Sequence, residues 1–319
     1  MNVKDAVIIG AGPAGLSAAL ILGRCRRNVL VFDTGQSRNA ASHAMHGFLS
    51  RDGIAPLELL EISREQVNRY HTVELCKTEV VSAKRSGPHF EVQLAGNSMV
   101  FCRKLLIATG VVDILPPIED IESFYGRSVF HCPYCDGWEF RDAPIAIYGR
   151  GEHGKGLALE LTAWRRNLML LTDGSDELTS HEIEQLRSHF IKIRRERIVG
   201  LEGQGGMLQH VAFDTGERLP CSAMFFSTGQ HQRSPLAGQL GCNFTEKGAV
   251  ATGKYESTNV PGLYVAGDAS RAVQLVIVAA AEGAEAAFAI NTAYSKKILQ
   301  VRSSFGDERL NRIPSISVT

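Results

Sequence analysis

The residues best suited to chemistry are two cysteines separated by two residues, within His131-Cys132-Pro133-Tyr134-Cys135-Asp136. Two intervening residues let the sulfurs form and break a small disulfide ring with little rearrangement of the backbone. Asp136 follows the second sulfur directly and could carry the proton that disulfide reduction requires, although it could also be an ordinary turn residue. The spacing predicts a redox-active cysteine pair, with Cys132, Cys135 and Asp136 as the catalytic residues.

Half of a zinc site is the competing interpretation, because paired cysteines also bind zinc. The other five of the seven cysteines stand alone, which favours redox chemistry, and we expect those five to behave as small buried apolar side chains. An odd number of cysteines in a long chain also argues against a secreted disulfide framework. We therefore expect no metal site and a reducing, cytoplasmic location.

The overall composition excludes several classes of function. The chain has 319 residues, enough for two domains, with 44% hydrophobic and 21% charged residues. Its 34 basic side chains are balanced by 34 acidic ones, so we expect no binding to nucleic acid or to an anionic membrane. The most apolar stretch, 273–290, contains Glu282 and Glu285, and we expect it to fall short of a membrane span.

The first element that could position a cofactor is a glycine turn near the N-terminus. Ala6 to Ile9 form an apolar run that enters Gly10-Ala11-Gly12-Pro13-Ala14-Gly15, followed by apolar residues at helical spacing. Val29 to Phe32 predict a second buried strand ending in Asp33, 23 residues after Gly10. Strand, glycine turn, helix and a following acid are typical of a dinucleotide-binding unit.

A second unit repeats this pattern. Lys104 to Ile107 predict a strand that closes the first unit at Ala108-Thr109-Gly110, and the prolines after Asp113 predict a linker with a boundary near 116. The repeat then runs from the strand Ile145 to Tyr148, through Gly149 to Gly154, to Met224-Phe225-Phe226. Within it, Thr179 and Glu182 predict a capping box at the start of a helix.

The C-terminal part belongs to neither repeat. A strand ends in Gly267-Asp268, whose carboxylate could accept hydrogen bonds from the ribityl chain of a flavin. A long apolar helix begins near Gln274 and would direct its positive end at the flavin. The chain is therefore predicted to be an α/β fold of two Rossmann-like, three-layer ββα nucleotide-binding domains. Residues 1–116 and 247–319 form the FAD-binding domain, and residues 117–246 form an inserted NAD(P)-binding-like domain that carries the redox pair.

Together these motifs make the chain similar to the low-molecular-weight thioredoxin reductases over nearly its whole length. The resemblance implies that Cys135 faces the flavin, that Cys132 attacks the disulfide of a partner and that Asp136 donates a proton. It also implies a homodimer, and that residues 38–48 lie along the flavin. The implied FAD-binding residues are Gly10, Gly12, Pro13, Ala14, Gly15, Asp33, Arg38, His46, Thr109, Gly110, Gly267, Asp268 and Gln274.

One departure from the family concerns the electron donor. Members that use NADPH carry a His-Arg-Arg cluster after the second strand of the inserted domain, where this chain has Thr172-Asp173-Gly174-Ser175-Asp176-Glu177. Three acids would repel a 2′-phosphate, which predicts that NADPH is a poor donor. NADH stays open, because Asp173 lies where an acid could accept from an unphosphorylated ribose. The interior of the Cys132-Cys135 motif resembles branches that do not use pyridine nucleotides, namely the deeply rooted thioredoxin reductases and the dithiol oxidases.

The sequence therefore predicts an FAD-dependent thiol-disulfide oxidoreductase that acts on thioredoxin, a similar dithiol protein or a small dithiol. The alternatives are a dithiol oxidase using oxygen, an NADH-dependent disulfide reductase and a non-enzymatic flavin redox sensor. Because the cysteine pair must face first the flavin and then a partner, we expect the inserted domain to rotate about segments near Pro116 and Gly248. Tails of this kind are usually frayed, but because a tail can cover the flavin in nucleotide-independent relatives, one hypothesis is that Arg302 to Thr319, with Phe305 and Ile313 as apolar anchors, lies over the flavin at the site a nicotinamide would occupy.

Overall fold

The structure is a computed structural model that describes residues 2–305, with side chains for residues 2–295. The predicted position of the tail over the flavin lies outside these described side chains. The helices are α1 (Pro13–Arg24), α2 (Pro56–Val67), α3 (Pro133–Asp136), α4 (Gly151–Leu161), α5 (Ser180–Ser188), α6 (Leu236–Gln239) and α7 (Val276–Phe305). The strands are β1 (Val3–Ile9), β2 (Val29–Asp33), β3 (Val73–Lys77), β4 (Val80–Ser86), β5 (His89–Leu94), β6 (Met99–Ile107), β7 (Val111–Asp113), β8 (Val129–Phe130), β9 (Ile145–Tyr148), β10 (Met169–Leu171), β11 (Lys192–Arg194), β12 (Ile198–Gln204), β13 (Met207–Phe213), β14 (Arg218–Pro220), β15 (Ala223–Phe226), β16 (Gln230–Gln232) and β17 (Leu263–Val265).

The first sheet has β1 near its centre. Strands run in the order β3-β2-β1-β6-β5-β4, and β17 pairs in parallel with the C-terminal part of β6. Ala6 to Ile9 are buried and pair in parallel with β2 and β6, as expected for a strand covered on both faces. The strands predicted at 6–9, 29–32 and 104–107 are confirmed.

The second sheet belongs to the inserted repeat. Its five strands run in the order β11-β10-β9-β15-β8, and all their pairings are parallel. The predicted capping box is confirmed at α5, where Thr179 accepts from the Glu182 amide and the Glu182 side chain accepts from the Thr179 amide. The predicted α/β fold with Rossmann-like units is confirmed by the parallel strands β3, β2, β1, β6 and β17 of the first sheet and by the parallel second sheet.

The chain crosses between the sheets at a pair of short strands. β7 and β16 pair antiparallel, so Asp113, predicted to begin a linker, lies in a strand. Leu236 and Cys242 pack in the core of the first sheet, although the predicted boundary at 246 assigned them to the inserted domain. By packing, the second crossing is therefore at β16, before 246 and away from Gly248. The division into two domains otherwise stays a prediction.

The helix α7 contains the stretch Val276–Ser295, which is long and apolar enough to cross a membrane when judged by length and composition alone. By that criterion the expectation is wrong that Glu282 and Glu285 make this helix too polar to qualify as a membrane span. In the structure Glu282 pairs with Arg271, and Gly283 lies against Ala14 of α1. These are contacts typical of the core helix of a globular domain.

The close approach of α1 and α7 leads to a stability prediction. A Cβ atom on Gly283 would collide with the carbonyl oxygen of Ala14. We expect Gly283→Ala to lower the free energy of unfolding by roughly 1–3 kcal/mol, because the helices must move apart. Gly156→Ala in α4 is the control, since an added Cβ there meets nothing within 4 Å and should be neutral or stabilising. Urea unfolding compares the two variants, and equal effects would contradict the close packing.

Candidate active site

One cavity of about 620 Å³ brings together most of the predicted site residues. Its walls come from the turn after β1, the end of β2, the loop after β6, the redox motif and the start of α7. Gly15 and Cys132 do not line its described surface. The predicted residues that do are Gly10, Gly12, Pro13, Ala14, Asp33, Arg38, His46, Thr109, Gly110, Cys135, Asp136, Gly267, Asp268 and Gln274.

The glycine turn has the shape of a phosphate cradle. A Cβ on Gly10, whose φ is +104°, would collide with the carbonyl oxygen of Ala108, and one on Gly15 would collide with that of Gly10. Gly12 instead faces open space, with no atom within 4 Å of an added Cβ. The turn therefore packs tightly against the backbone at Gly10 and Gly15 and is open at Gly12, directly before α1 begins at Pro13. Backbone amides at such a helix start bind anions.

Two buried hydroxyl groups on the cavity lack a partner. The Thr109 Oγ1 and Ser37 Oγ atoms are inaccessible to solvent and make no hydrogen bond within the described structure. Buried polar atoms are normally paired, so an unpaired hydroxyl in a cavity indicates a bound group with donors or acceptors. Both positions fit a cofactor with polar atoms along its length.

Asp33 lies at the end of β2, as predicted. Its carboxylate accepts from the Ala11 amide at 3.0 Å and from the Gly35 amide at 3.0 Å. One oxygen also lies 3.8 Å from Arg64. The carboxylate therefore holds the glycine turn in place and still faces the cavity.

The redox motif meets the cavity at its second cysteine. The Cys132 and Cys135 sulfurs are joined in a disulfide, and their Cα atoms are 5.3 Å apart. The short helix α3 turns Cys135 and Asp136 into the cavity, next to His131. The two cysteines thus have different surroundings, with Cys135 as the one on the cavity.

Two titratable groups beside the disulfide are shifted toward neutrality. Burial, followed by the charge of Glu139, raises the pKa of Asp136 to about 7. Burial, followed by the Arg38 cation, lowers the pKa of His131 to about 4. Near pH 7 a proton is therefore available on Asp136, while the His131 ring is neutral.

Arg38 lines the cavity, but its guanidinium group donates its hydrogen bonds to other side chains of the protein. It donates twice to Asp113, at 2.8 and 2.5 Å, and once each to Asp268, Gln274 and Gln230. A guanidinium group has five N–H donors, so all five are in use. Its predicted contact with a cofactor therefore cannot come from a free N–H group in this arrangement.

His46 joins the two units across the cavity. Its Nδ1 atom lies 3.5 Å from Asp52, and its Nε2 atom lies 3.5 Å from Glu139 of the inserted repeat. Glu139 follows Asp136 by three residues and is the charge that raises its pKa. The predicted cofactor contact thus lies beside Glu139, whose charge adds to the effect of burial on the predicted proton donor.

The sequence did not identify the residues that link Arg38 to the redox motif. Asp113 accepts from the Tyr125 hydroxyl at 2.7 Å and lies 3.7 Å from His131 Nδ1. Burial alone would raise the pKa of Asp113, but the hydrogen bonds and charge of Arg38 lower it overall. His131 has a signal in its position before Cys132, whereas Tyr125 and Asp113 have none in the local sequence.

The turn at Gly267 is fixed by buried acids behind it. Its amide donates to Glu282 of α7 at 2.7 Å, and Arg271 bridges Glu282 to Glu256 at 2.8 and 2.5 Å. Burial, and after it the like charge of Glu256, raises the pKa of Glu282 to about 7, against the lowering effect of the hydrogen bond from the Gly267 amide and of Arg271. This cluster holds Asp268 and the start of α7 at the cavity.

The raised pKa of Glu282 predicts a pH-dependent stability. The folded state holds its proton more tightly than the unfolded state, so its contribution is full below about pH 4.3 and is lost as the pH rises through 7. We expect Glu282→Gln to flatten the fall in unfolding free energy between pH 5 and 8. Glu202→Gln, which changes an exposed pair with Arg218, should keep the wild-type slope. Unchanged slopes in both variants would contradict the assignment.

The glycine turn of the inserted repeat folds like the first one, but its surroundings differ. A Cβ on Gly149 would come within 2.5 Å of Gly154, so the strand and α4 pack tightly here. A Cβ on Gly151 would lie 2.8 Å from the Glu177 carboxylate, so that acid lies against the start of α4. An acid now lies where a pyrophosphate would approach the helix start.

Asp173, the candidate acid for an NADH ribose, is already occupied. One of its oxygens accepts from the Ile198 amide at 2.9 Å. The other accepts from Arg150 at 2.9 Å and from the Tyr148 hydroxyl at 3.3 Å. The side chains of the inserted turn therefore bind one another.

The five cysteines outside the redox motif differ in their exposure. Cys102, Cys221 and Cys242 are buried as expected, Cys76 is half-buried, and Cys25 is exposed, contrary to the expectation. Burial raises the pKa of Cys102 and of Cys221 to about 12. Across the described part of the chain, no group of three or more His, Cys, Asp or Glu residues could hold a metal ion.

Comparison with known proteins identifies the family. Residues 4–283 match the pyridine nucleotide-disulphide oxidoreductase family. Thioredoxin reductase tcpT of Claviceps purpurea is 31% identical over 282 residues, which cover 84% of this chain and 87% of that protein. HlmI, whose crystal structure is known, is 34% identical to this chain in sequence. The two folds match with a TM-score of 0.89 over 96% of this chain and 97% of that one. The crystal structure of TrxB from Bacillus anthracis matches with a TM-score of 0.87 over 92% of this chain and 99% of that chain, and the two sequences are 33% identical. The chain therefore belongs to the pyridine nucleotide-disulphide oxidoreductase family, as a thioredoxin reductase-like oxidoreductase.

Proposed function

We propose that this protein is an FAD-dependent thiol-disulfide oxidoreductase that moves electrons between a flavin, the Cys132–Cys135 disulfide and a protein disulfide such as that of thioredoxin. We further propose that its electron donor is not NADPH. The observation that carries this proposal is the position of Cys135 on the same cavity as the glycine turn. Electron exchange between a flavin and a sulfur requires contact, and a shared cavity permits it.

The residues present fit FAD. Thioredoxin reductases are flavin-dependent in general, and the cavity offers a phosphate cradle at one end and the redox disulfide at the other. The lining also includes Thr109 and Ser37, whose buried hydroxyls make no hydrogen bond within the described structure. Gly10, Gly12, Pro13, Ala14 and Asp33 would hold the pyrophosphate and adenine ribose, with Gly15 packed behind the turn, and Thr109, Gly110, Gly267, Asp268 and Gln274 would hold the flavin end.

The two cysteines then have separate tasks. The bound flavin supplies or accepts the electron pair. Breaking the S–S bond with two electrons and one proton from Asp136 gives one thiol and one thiolate, with the thiolate on Cys135. Cys132 returns its proton to Asp136, attacks the partner disulfide as a thiolate and forms a mixed disulfide, while the partner sulfur that leaves takes up a proton. Cys135 then attacks Cys132, restoring the intramolecular disulfide and releasing the reduced partner.

The inserted turn supports a donor other than NADPH. Asp173, Asp176 and Glu177 stand where NADPH-using members carry a basic cluster, and in the structure Arg150 pairs with Asp173 and Arg195 with Asp176. A nucleotide would have to break that pair and displace Glu177 from the start of α4. NADH faces the same obstacles with the exception of the phosphate repulsion.

The test is anaerobic mixing of the purified flavoprotein with NADPH, NADH, reduced ferredoxin and dithiols in turn. Loss of the flavin absorbance in the visible reports which compound reduces it. The proposal predicts slow or absent bleaching by NADPH and rapid bleaching by at least one other donor. Rapid bleaching by micromolar NADPH would overturn the donor assignment.

A second candidate is a dithiol oxidase, favoured by the occupied turn of the inserted repeat. If no nucleotide delivers electrons, a dithiol substrate can deliver them through Cys132 and Cys135, with oxygen accepting them as hydrogen peroxide. Each dithiol oxidised would then yield one disulfide and one peroxide. Stoichiometric peroxide on adding dithiols in air supports this direction, and its absence supports disulfide reduction.

The assembly and location are also proposals. The names of the relatives make thioredoxin the first protein partner to test, with small dithiols as the alternative. A homodimer is proposed from the family resemblance, and sedimentation of the holoprotein tests it. A cytoplasmic location is proposed from the cysteine usage.

A further inference from the structure

The network around Arg38 connects three parts of the chain. Arg38 belongs to the loop after β2 in the first unit, and its side chain is only 14% exposed. It binds Asp113 of β7 and Gln230 of β16, the two strands on which the chain crosses between units. Asp113, only 6% exposed, in turn accepts from Tyr125 of the inserted repeat. We call Arg38, Asp113 and Tyr125 the crossing network.

The crossing network ends at both functional parts of the cavity. On one side Arg38 donates to Asp268 and Gln274, both at the proposed flavin end. On the other side Asp113 and Tyr125 face His131, which immediately precedes Cys132, at 3.7 and 3.3 Å. The same few hydrogen bonds therefore fix the cofactor pocket and the start of the redox motif relative to each other.

Removing a single member of the crossing network is costly, because its members form a buried ion pair with hydrogen bonds. Two of the five guanidinium donors form a parallel pair with the Asp113 carboxylate, the strongest geometry that this ion pair adopts. Removing one member of a buried pair leaves a charge without its partner, at a cost well above that of an exposed pair. Any movement of the inserted repeat away from the cavity must also strain or break the bond from Tyr125.

We propose that the crossing network is a positioning device that holds the Cys132–Cys135 disulfide over the cofactor cavity. Arg38, Asp113 and Tyr125 are positioning residues, and none of them exchanges protons or electrons with the disulfide. Breaking the network increases the fraction of molecules in which Cys135 is turned away from the cavity. This goes beyond the proposed reaction, since it concerns the arrangement of the chain with or without turnover.

The test measures how fast a bulky maleimide reacts with Cys135. In a Cys132→Ser background, Cys135 is a free thiol, and mass spectrometry of peptides separates its labelling from that of the other cysteines. Exposed Cys25 gives the reference rate, and buried Cys102 and Cys221 report unfolding of the first and second sheets. The full chain is used as purified.

We expect Asp113→Asn to raise the labelling rate of Cys135 relative to Cys25 about tenfold, which corresponds to 1.4 kcal/mol. Tyr125→Phe, which loses one hydroxyl, should raise the rate by a smaller factor of about threefold. Glu202→Gln, at an exposed ion pair in the inserted repeat, is the matched control and should leave it unchanged. Labelling of Cys102 and Cys221 should stay slow throughout.

Two results would overturn the proposal. One is an unchanged Cys135 rate, within about twofold, in folded Asp113→Asn and Tyr125→Phe proteins. The other is a parallel rise of Cys102 and Cys221, which would show general loosening of the fold. If Asp113→Asn does not fold, Arg38→Lys takes its place, because it keeps the charge but loses the forked geometry.

Discussion

Replacing Cys135 with serine is expected to abolish electron transfer from the flavin to a disulfide substrate, with a loss of at least about a thousandfold. Serine cannot form the Cys132–Cys135 disulfide, and it removes the one motif sulfur that lines the cavity. The measurement is a single turnover, in which the flavin is reduced anaerobically with light and mixed with oxidised thioredoxin. Return of the visible flavin absorbance gives the rate.

The controls separate the two cysteines. Cys132→Ser should lose turnover equally but retain a thiol at the cavity, so only this variant should show a flavin spectrum that changes as Cys135 ionises. Cys25→Ser, at an exposed lone cysteine, should behave as wild type. A reversed pattern, with the spectral change in Cys135→Ser, would contradict the assignment of Cys135 as the flavin-facing sulfur.

The second large effect is expected for Asp136→Asn. The amide keeps the size of the side chain but cannot donate the proton, and a positioned general acid typically contributes about 10²–10⁴ in rate. The pKa of Asp136 is raised to about 7, so the acid is protonated below that pH and loses its proton above it. Wild-type turnover should therefore fall as the pH rises through 7, and the variant should lack this fall.

Asp142→Asn is the matched control, since Asp142 is an exposed aspartate of the same segment with a side chain 89% accessible. Its rate and its pH profile should equal those of the wild type. A variant at Asp136 that keeps more than half of the wild-type rate, or that keeps the decline above pH 7, would rule out the residue as the proton donor.

Local patterns in the sequence predicted much of the fold. The buried strands at 6–9 and 145–148, the two glycine turns and the capping box at Thr179 depend on residues close together in the chain. One cavity is lined by Cys135, Asp136 and the Gly10 turn, which agrees with the resemblance to thioredoxin reductases. Here short-range signals and a family pattern agreed.

The remaining features depend on contacts between distant segments. Leu236 and Cys242 are apolar and could cover either sheet, and only the path of the chain decides that they cover the first. Asp113 and Tyr125 become important because Arg38, 75 residues before Asp113, reaches the crossing strands. The exposure of Cys25 depends in the same way on what packs beside the end of α1. No short window of sequence contains this information.

The inserted turn illustrates how an element can keep its fold while its surroundings change. Gly149 and Gly154 still permit the tight approach of strand and helix. The acid after the second strand is also present, but Asp173 now binds Arg150, Tyr148 and the Ile198 amide. The sequence pattern left open whether this acid could accept from an NADH ribose, and in the structure its carboxylate already accepts three hydrogen bonds from the protein.

The most direct test of the account is a crystal structure of the oxidised protein with FAD bound. The distance from the Cys135 sulfur to the isoalloxazine ring is the quantity to measure. The expected result is contact, at about 4 Å, with the ring in the cavity between Asp268 and Asp136. A ring bound elsewhere, or a protein that purifies colourless and cannot be reconstituted with FAD, would contradict it.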